Sequence, residues 1–520
     1  MKSLELRLSP ELAFNEADFE AYLAKKAKLQ DGDHIQYRIE RRNIDARSRN
    51  IKVNILVHYA INEDLPARDL THFEFQDVHR APEVHIVGFG PAGMWAALRC
   101  IELGYKPVVL ERGKDVRSRR RDLKSVNRDN VVDPDSNYCY GEGGAGTYSD
   151  GKLYTRSKKR GSVKRILDSL YHHGAVEDIL FEAHPHIGTN KLPKIVQAMR
   201  ETILKHGGVI HFETRLSDIK IEAKRIVELE SLDGRNWPVE SLILATGHSA
   251  RDIYYLLHKK GIRLEAKPFA MGVRVEHPQK LINKIQYHGN DYDDILPAAA
   301  YKLVQQVEDR GVYSFCMCPG GFIVPAATEQ HELVVNGMSP SKRDNLYANS
   351  GIVVAIELED LNDYQEHGPL AGLEFQKAVE KQVWEAGGQT QQAAAQKLID
   401  FVKGRISKDL NPSSYIPGLV SKPMHKILPA FMAKRLQKAF VEFGKKMPGY
   451  YTNEANIIGI ESRTSSPVRI PRDRESLQHP EIENLFPSGE GAGFAGGIVS
   501  AGIDGENCAE AAIRWQQILK

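Results

Sequence analysis

A chain of 520 residues is too long for one ordinary core, so two or three domains are expected. A hydrophobic share of 42% and a charged share of 27% are those of a globular protein, and a net charge of +2 singles out no charged partner. No apolar run reaches the length of about 18 residues that a membrane helix needs. The start at Met1–Arg7 lacks a signal-peptide core, and five cysteines make no disulfide scaffold, so a reducing cytoplasm is the expected location.

Residues 1–80 read as a small α+β module of β-α-β-β type. Leu4, Leu6 and Leu8 alternate with polar residues as in a strand, and Asn15 is placed to cap a helix from Glu16 to about Lys26. His34–Glu40 and Ile51–Ala60 read as two further strands, and Thr71–Val78 as a fourth. The connection Arg41–Arg49 is basic. It is either a surface for RNA or an acidic partner, or a loop solvated or docked on the body of the chain. No aromatic stacking pattern accompanies the arginines, so nucleic acid is not expected as a partner.

At Val84–Gly93 a short apolar run ends in Gly88, Gly90 and Gly93, and a helical pattern follows from Pro91 through Ala92 to Leu103. The chain then runs Pro107–Leu110 into Glu111. Strand, glycine turn, helix, strand and acid at this spacing read as a dinucleotide-binding unit. Gly88 allows the turn, Gly90 lets backbone approach a pyrophosphate, and Gly93 lets helix sit on strand. The helix start offers unpaired N–H groups to phosphates, and Glu111 is placed for ribose hydroxyls. Arg112–Arg128 is dense in Arg and Lys, either to neutralise phosphates or as a solvated helix. Asn137–Leu153 carries five glycines, among them Gly144 and Gly146, with Thr147, Ser149 and Lys152 as donors. So many glycines let a backbone pass tightly against something flat or charged.

Residues 81–255 make the first part of the nucleotide-binding domain. Lys191–His206 reads as an amphipathic helix and Gly207–Phe212 as a strand. An antiparallel excursion then returns to the buried strand Leu242–Ala245, which ends in Thr246 and Gly247. Residues 256–455 mix strands such as Met271–Val275 and Tyr313–Cys318 with helices such as Ala430–Phe443, and read as an inserted α+β substrate or cap domain. Residues 456–520 return to the nucleotide domain: Asn456–Ile460 as a strand, then Leu485–Gly497 as a second glycine-rich helix start opening a helix from Ile498.

Together these pieces resemble the FAD-containing Rossmann flavoproteins of the glutathione-reductase structural type. Leu110–Gly113 looks like the end of their second strand, bringing in Arg112, and Leu242–Gly247 resembles their Ala-Thr-Gly strand. Ser488-Gly489-Glu490 resembles the motif whose acid binds the ribityl and pyrophosphate region, with Glu where most have Asp. Thr214–Leu216 resembles the segment whose backbone meets adenine. By the same resemblance Gly496, Gly497 and Ile498 meet the pyrimidine edge of the flavin. Gly141–Leu153, Phe269–Pro278, Tyr313–Gly321 and Gly489–Gly505 are similar to a narrower group, the uncharacterised bacterial FAD-dependent dehydrogenases. The resemblance implies FAD and an oxidoreductase working by hydride transfer at flavin N5, and it implies no substrate. No second GxGxxG occurs, so NAD(P)H, the substrate or another protein remain open as electron source.

Three candidates carry chemistry. Cys316 and Cys318 share one face of a strand, either as thiols for the flavin or as small buried residues. Arg463 and Arg469 flank Thr-Ser-Ser-Pro, either to clamp a substrate anion or to form ion pairs at the domain junction. His248 follows the Ala-Thr-Gly strand, as a proton donor or as a backbone-bonded loop residue. No metal site is expected. The competing functions are an FAD-dependent enzyme on a small molecule, a flavoprotein docking RNA, and a non-catalytic FAD-binding protein.

Overall fold

The computed structural model describes residues 1–155 and 160–519. At the N-terminus the strands Lys2–Leu8, Lys52–Ile61 and Ile35–Asp45 form an antiparallel sheet in that spatial order. The helices Pro10–Phe14 and Glu16–Ala27 cover it, burying Phe19 and Leu23 against Leu6, Leu8, Val53 and Val57. Asn15 caps the longer helix as expected, accepting the Asp18 N–H at 3.2 Å.

The expected strand over Thr71–Val78 does not form. That segment is irregular and spends its polar groups on the body of the chain: the Thr71 N–H and hydroxyl both donate to Asp168 at 2.8 Å, and Gln76 donates to the Glu102 carbonyl at 2.6 Å. Its alternation instead sets Phe73 and Phe75 beside His172. The basic connection is docked. The Arg42 N–H donates to the Phe181 carbonyl, its guanidinium meets Glu182, and His288 and Asn290 hydrogen-bond the carbonyls of Ala46 and Arg49.

Five parallel strands follow, in the spatial order Leu485–Pro487, Leu242–Leu244, Glu83–Val87, Lys106–Leu110 and Val209–His211. The inner strands are buried almost throughout, as a sheet covered on both faces requires, while the edge strand Val209–His211 is half-buried. On one face the helices Pro91–Glu102 and Ile498–Leu519 pack so closely that a Cβ at Gly505 would lie 2.0 Å from the Ala92 carbonyl oxygen. The other face carries the antiparallel strands Leu216–Glu222, Arg225–Ser231 and Asn236–Pro238 and the helix Arg251–Lys259.

The third body is an eight-stranded sheet built around Phe269–Pro278, Arg310–Pro325 and Tyr347–Ile356. The helices Ala371–Ala386 and Ala430–Lys446 pack on its core. Here the sequence reading needs a correction. Asn456–Glu461, expected with the nucleotide unit, lies in this sheet between Phe269–Pro278 and Ala393–Lys397. An apolar run buried on both faces reads alike in either sheet, and only its partners distinguish them.

Candidate functional site

The first glycine corner is built as expected. Gly88 has φ +98°, and a Cβ there would lie 2.4 Å from the Ala245 carbonyl oxygen; one at Gly93 would lie 2.0 Å from the Gly88 carbonyl oxygen. Gly90 differs. Its φ of −77° suits any residue, and its missing Cβ has only the Gly144 Cα near, at 3.8 Å. The opening at Gly90 therefore faces a cavity rather than the fold. No side chain caps the helix Pro91–Glu102, so its first N–H groups remain for a ligand.

Glu111 borders the same cavity but also fastens three turns. Its carboxylate accepts the N–H groups of Phe89 (2.8 Å), Gly113 (2.9 Å) and Gly141 (2.9 Å). Arg112 pairs with Asp135 at 2.7 Å and Asp252 at 3.0 Å and stacks over Tyr140. Arg112 borders the cavity as expected, and the basic stretch is thus not fully solvated. Within it Arg119, fully buried, donates to the carbonyls of Asn137, Glu142 and Gly144 and shapes the glycine loop. Burial pulls the Arg119 guanidinium below its ordinary pKa.

The second corner converges on the first. The Gly489 N–H donates to Asp504 at 2.7 Å, and Asp504 is held by Arg472. Gly497, at φ +96°, leads into Ile498 at the start of the last helix. Both corners open into one cavity of about 280 Å³. Pro91, Ala92, Gly144, Gly146, Ser149 and Lys152 line it from the first side; Leu216, Ala245, Thr246, Gly247, Gly489 and Glu490 complete the wall. His248 lines it too, with Nδ1 3.4 Å from Glu490 Oε2 and no hydrogen bond on that nitrogen.

Several expected contacts fall elsewhere. Gly93 does not line the cavity; it lies beneath the turn and lets the helix sit close to the strand, the role its spacing gave it. Thr147 is buried and donates to the Glu142 carbonyl at 2.7 Å, so it holds the loop rather than a ligand. Gly496 stands behind Glu490 and does not line the cavity. Arg463 is no substrate clamp. It is buried in a quartet with Arg251, Glu332 and Glu380, 2.7 Å from Glu332 and 3.1 Å from Glu380, which is the junction alternative. Arg469 also misses the cavity, sitting in a short strand pair beside Phe494.

Cys316 lines the cavity, whereas Cys318 is fully buried behind it. Lys152 reaches them from the glycine loop: its Nζ donates to the Met317 carbonyl and lies 3.8 Å from Cys316 Sγ and 3.9 Å from Cys318 Sγ. Arg119 and Asp504 escaped the sequence reading. For Arg119 a signal existed: it shares the helical stripe of Val116, Leu123 and Val126. Asp504 carries no comparable pattern. Among the described residues no cluster of metal-ligating side chains occurs, and no helix is long and apolar enough to cross a membrane.

A family model described as "FAD-dependent protein, C-terminal domain-like" matches residues 268–464, and a domain of unknown function matches residues 1–60. A Clostridium beijerinckii chain described as an uncharacterized protein is 40% identical over 510 residues, covering 94% of this chain and 95% of its own length. Among solved structures, a geranylgeranyl bacteriochlorophyll reductase-like protein of Thermoplasma acidophilum is 12% identical at a TM-score of 0.35, covering 84% of this chain and 83% of its own. The CtdE protein in complex with FAD is 12% identical at a TM-score of 0.31, covering 84% of each chain. Scores this low carry no functional argument. The site itself fits FAD: one cavity lined by both glycine corners, openings that a Cβ at Gly90 or Gly497 would narrow, and two helix starts at its wall.

Proposed function

This chain belongs to one family with the Clostridium beijerinckii protein and is an FAD-dependent flavoprotein, and from that premise we propose that it is an oxidoreductase acting on a small molecule. The observation that supports this reading is the convergence of two glycine corners, distant in sequence, on one cavity. The finer resemblance, to dehydrogenases of the glutathione-reductase structural type, belongs to the same proposal. When bound, FAD supplies a two-electron acceptor or donor at flavin N5.

The chain's own residues do the rest. The corners at Gly90 and Gly497 admit the cofactor backbone, and the uncapped helix start at Pro91 favours negative charge. Glu111 and Arg119 hold the surrounding turns rigid, so the cradle is formed before the ligand arrives. Val87, Leu110, Leu216, Ala245, Ile498 and Ala501 keep the walls apolar. The Lys152 ammonium is the cation beside the reacting space; burial acts to lower its pKa, yet Cys316, Cys318 and Asp150 raise it above the ordinary lysine value. No second dinucleotide fingerprint supports a resident NAD(P)H domain, so the electron source is left to experiment.

Gly90→Val tests the carrying observation. The fold has room for the Cβ, so circular dichroism stays as in the parent, while FAD affinity falls at least ~100-fold because the added atoms enter the cavity. A folded variant that still titrates with FAD like the parent overturns the placement. Anaerobic addition of NADH, NADPH and a panel of metabolites then separates enzyme from carrier: bleaching of the flavin band supports turnover, and a band that nothing bleaches removes it.

A further inference from the structure

Cys316 sits where the strand Arg310–Pro325 is irregular. Its register against Tyr347–Ile356 slips between Phe315 and Cys318, and Cys316 takes a left-handed φ of +43°. A non-glycine residue keeps that backbone only when its surroundings impose it. The surroundings are evident: Arg274 Nη1 donates to the Cys316 carbonyl at 3.0 Å, and Lys152 donates to the next carbonyl, that of Met317. The bulge cancels strict alternation and gathers both sulfurs about one ammonium, that of Lys152. Cys318 Sγ lies 3.3 Å from the Cys316 carbonyl oxygen, and its one thiol hydrogen can instead face Cys316 Sγ.

The charges around the pair favour one thiolate. Lys152 and Arg274 are the cations; Asp150 and Glu461 oppose them but are themselves paired, Asp150 with Arg343 and Lys152, Glu461 with Arg274 at 2.6 Å. A hydrogen bond from Cys318, then Lys152 and Arg274, hold the Cys316 thiol well below its ordinary pKa against the effect of burial. That same hydrogen bond, with burial, pushes Cys318 up. An acidic, accessible thiol backed by a protonated one is the arrangement of an attacking and a resolving cysteine.

We propose that Cys316 and Cys318 are a redox-active dithiol on the wall of the FAD cavity, with Cys316 attacking and Cys318 resolving a small disulfide. The proposal rests on the FAD reading for its place but not for its chemistry. The Cys316 thiolate attacks one sulfur of R–S–S–R, forming a mixed disulfide and expelling RS⁻. Cys318 then attacks Cys316 Sγ, forming the Cys316–Cys318 bond; its proton leaves with the second RS group as RSH. Two electrons and two protons restore the dithiol, and dithiothreitol supplies them in the test. A second thiol is what selects a disulfide as substrate, since alkyl or acyl transfer has no use for it.

The experiment treats the FAD-loaded full chain with hydroxyethyl disulfide and maps peptides by mass spectrometry, with the flavin band recorded on the same sample. A Cys316–Cys318 crosslink that dithiothreitol reverses is expected. At about pH 6, iodoacetamide should label Cys316 at least ~10-fold faster than Cys139, which lines the same cavity, because the thiolate is the nucleophile and Lys152 and Arg274 favour it at Cys316. Cys100 and Cys508 stay unlabelled, both pushed up by burial. Cys318→Ser keeps the fast labelling and accumulates the mixed disulfide; Lys152→Met slows labelling of Cys316. Equal rates at Cys316 and Cys139, or a mixed disulfide without a crosslink in the parent, overturn the proposal. A sample that shows the flavin band but no crosslink overturns the dithiol alone; one that crosslinks without binding FAD overturns the FAD reading instead.

Discussion

The cofactor cradle presents backbone, whereas the junction between the parallel sheet and the eight-stranded sheet is held by charged side chains. In the cradle the decisive atoms are absent ones, the Cβ atoms of Gly88, Gly90, Gly93 and Gly505. At the junction they are present and ionisable: Arg251 and Arg463 clasp Glu332 and Glu380 out of water, and Arg463 also donates to Thr328 at 2.8 Å. Burial alone would raise the Glu380 carboxyl, but Arg251 and Arg463 hold it below the usual carboxylate range. The contrast teaches where each half is vulnerable. A cradle of glycines fails when an atom is added, and a buried ion quartet fails when one is removed.

The largest effect is expected at the junction. Arg463→Met leaves two buried carboxylates with a single guanidinium and should cost about 4 kcal/mol in urea unfolding. A loss under about 1 kcal/mol would mean the quartet is hydrated and the contrast is false.

Acid sharpens the comparison, because each half contains buried neutral histidine. Burial holds His85 and His173, which pack with the parallel sheet, and His277 in the eight-stranded sheet, at about 4. The unfolded rings take up protons below about 6.5, the folded ones only near 4. Stability is therefore complete above about pH 6.5 and falls as pH drops towards 4, by about 3 kcal/mol for each ring. His85→Val, at a ring whose Nδ1 has no partner, and His277→Gln should each flatten that decline. Equal flattening on one unfolding transition shows that the halves unfold together; separate transitions break the comparison into two domains.

A smaller effect is expected where an atom is added to the cradle's support. Gly505→Ala places a methyl 2.0 Å from the Ala92 carbonyl oxygen and should cost about 2 kcal/mol, with loss of FAD as the two helix starts part. Retention of FAD would show that the corners are independent. The smallest belongs to neither half. Arg47→Ser, on a side chain 90% exposed in the docked N-terminal connection, should change stability by less than about 0.5 kcal/mol.

Much of the cradle was legible in the chain. Gly88, Gly90 and Gly93, the Leu242–Gly247 strand and the Gly489–Ile498 helix start all stand where their spacing put them, because tight turns and close backbone approach are local demands that glycine meets. The reading failed where a residue's partner is remote. Thr71–Val78 has the alternation of a strand and no strand beside it, and Asn456–Glu461 joined the other sheet. Arg463 and Arg469 left a clamp and junction ion pairs both open; Arg463 faces Glu332 and Glu380, which is the junction reading, and Arg469 faces Phe494, which is neither.

Sequence by itself determined the two phosphate-type helix starts, four of the five parallel strands and hence the class of ligand, since each is written in residues a few positions apart; the fifth strand, Leu485–Pro487, reads only as part of a helix start. Tertiary structure alone decided which arginine is buried as a brace, which as a lock, and that Lys152 meets Cys316 and Cys318 at a bulge. The physical reason is that charge and thiol chemistry depend on distance and burial, and those follow from packing between segments that the chain keeps far apart.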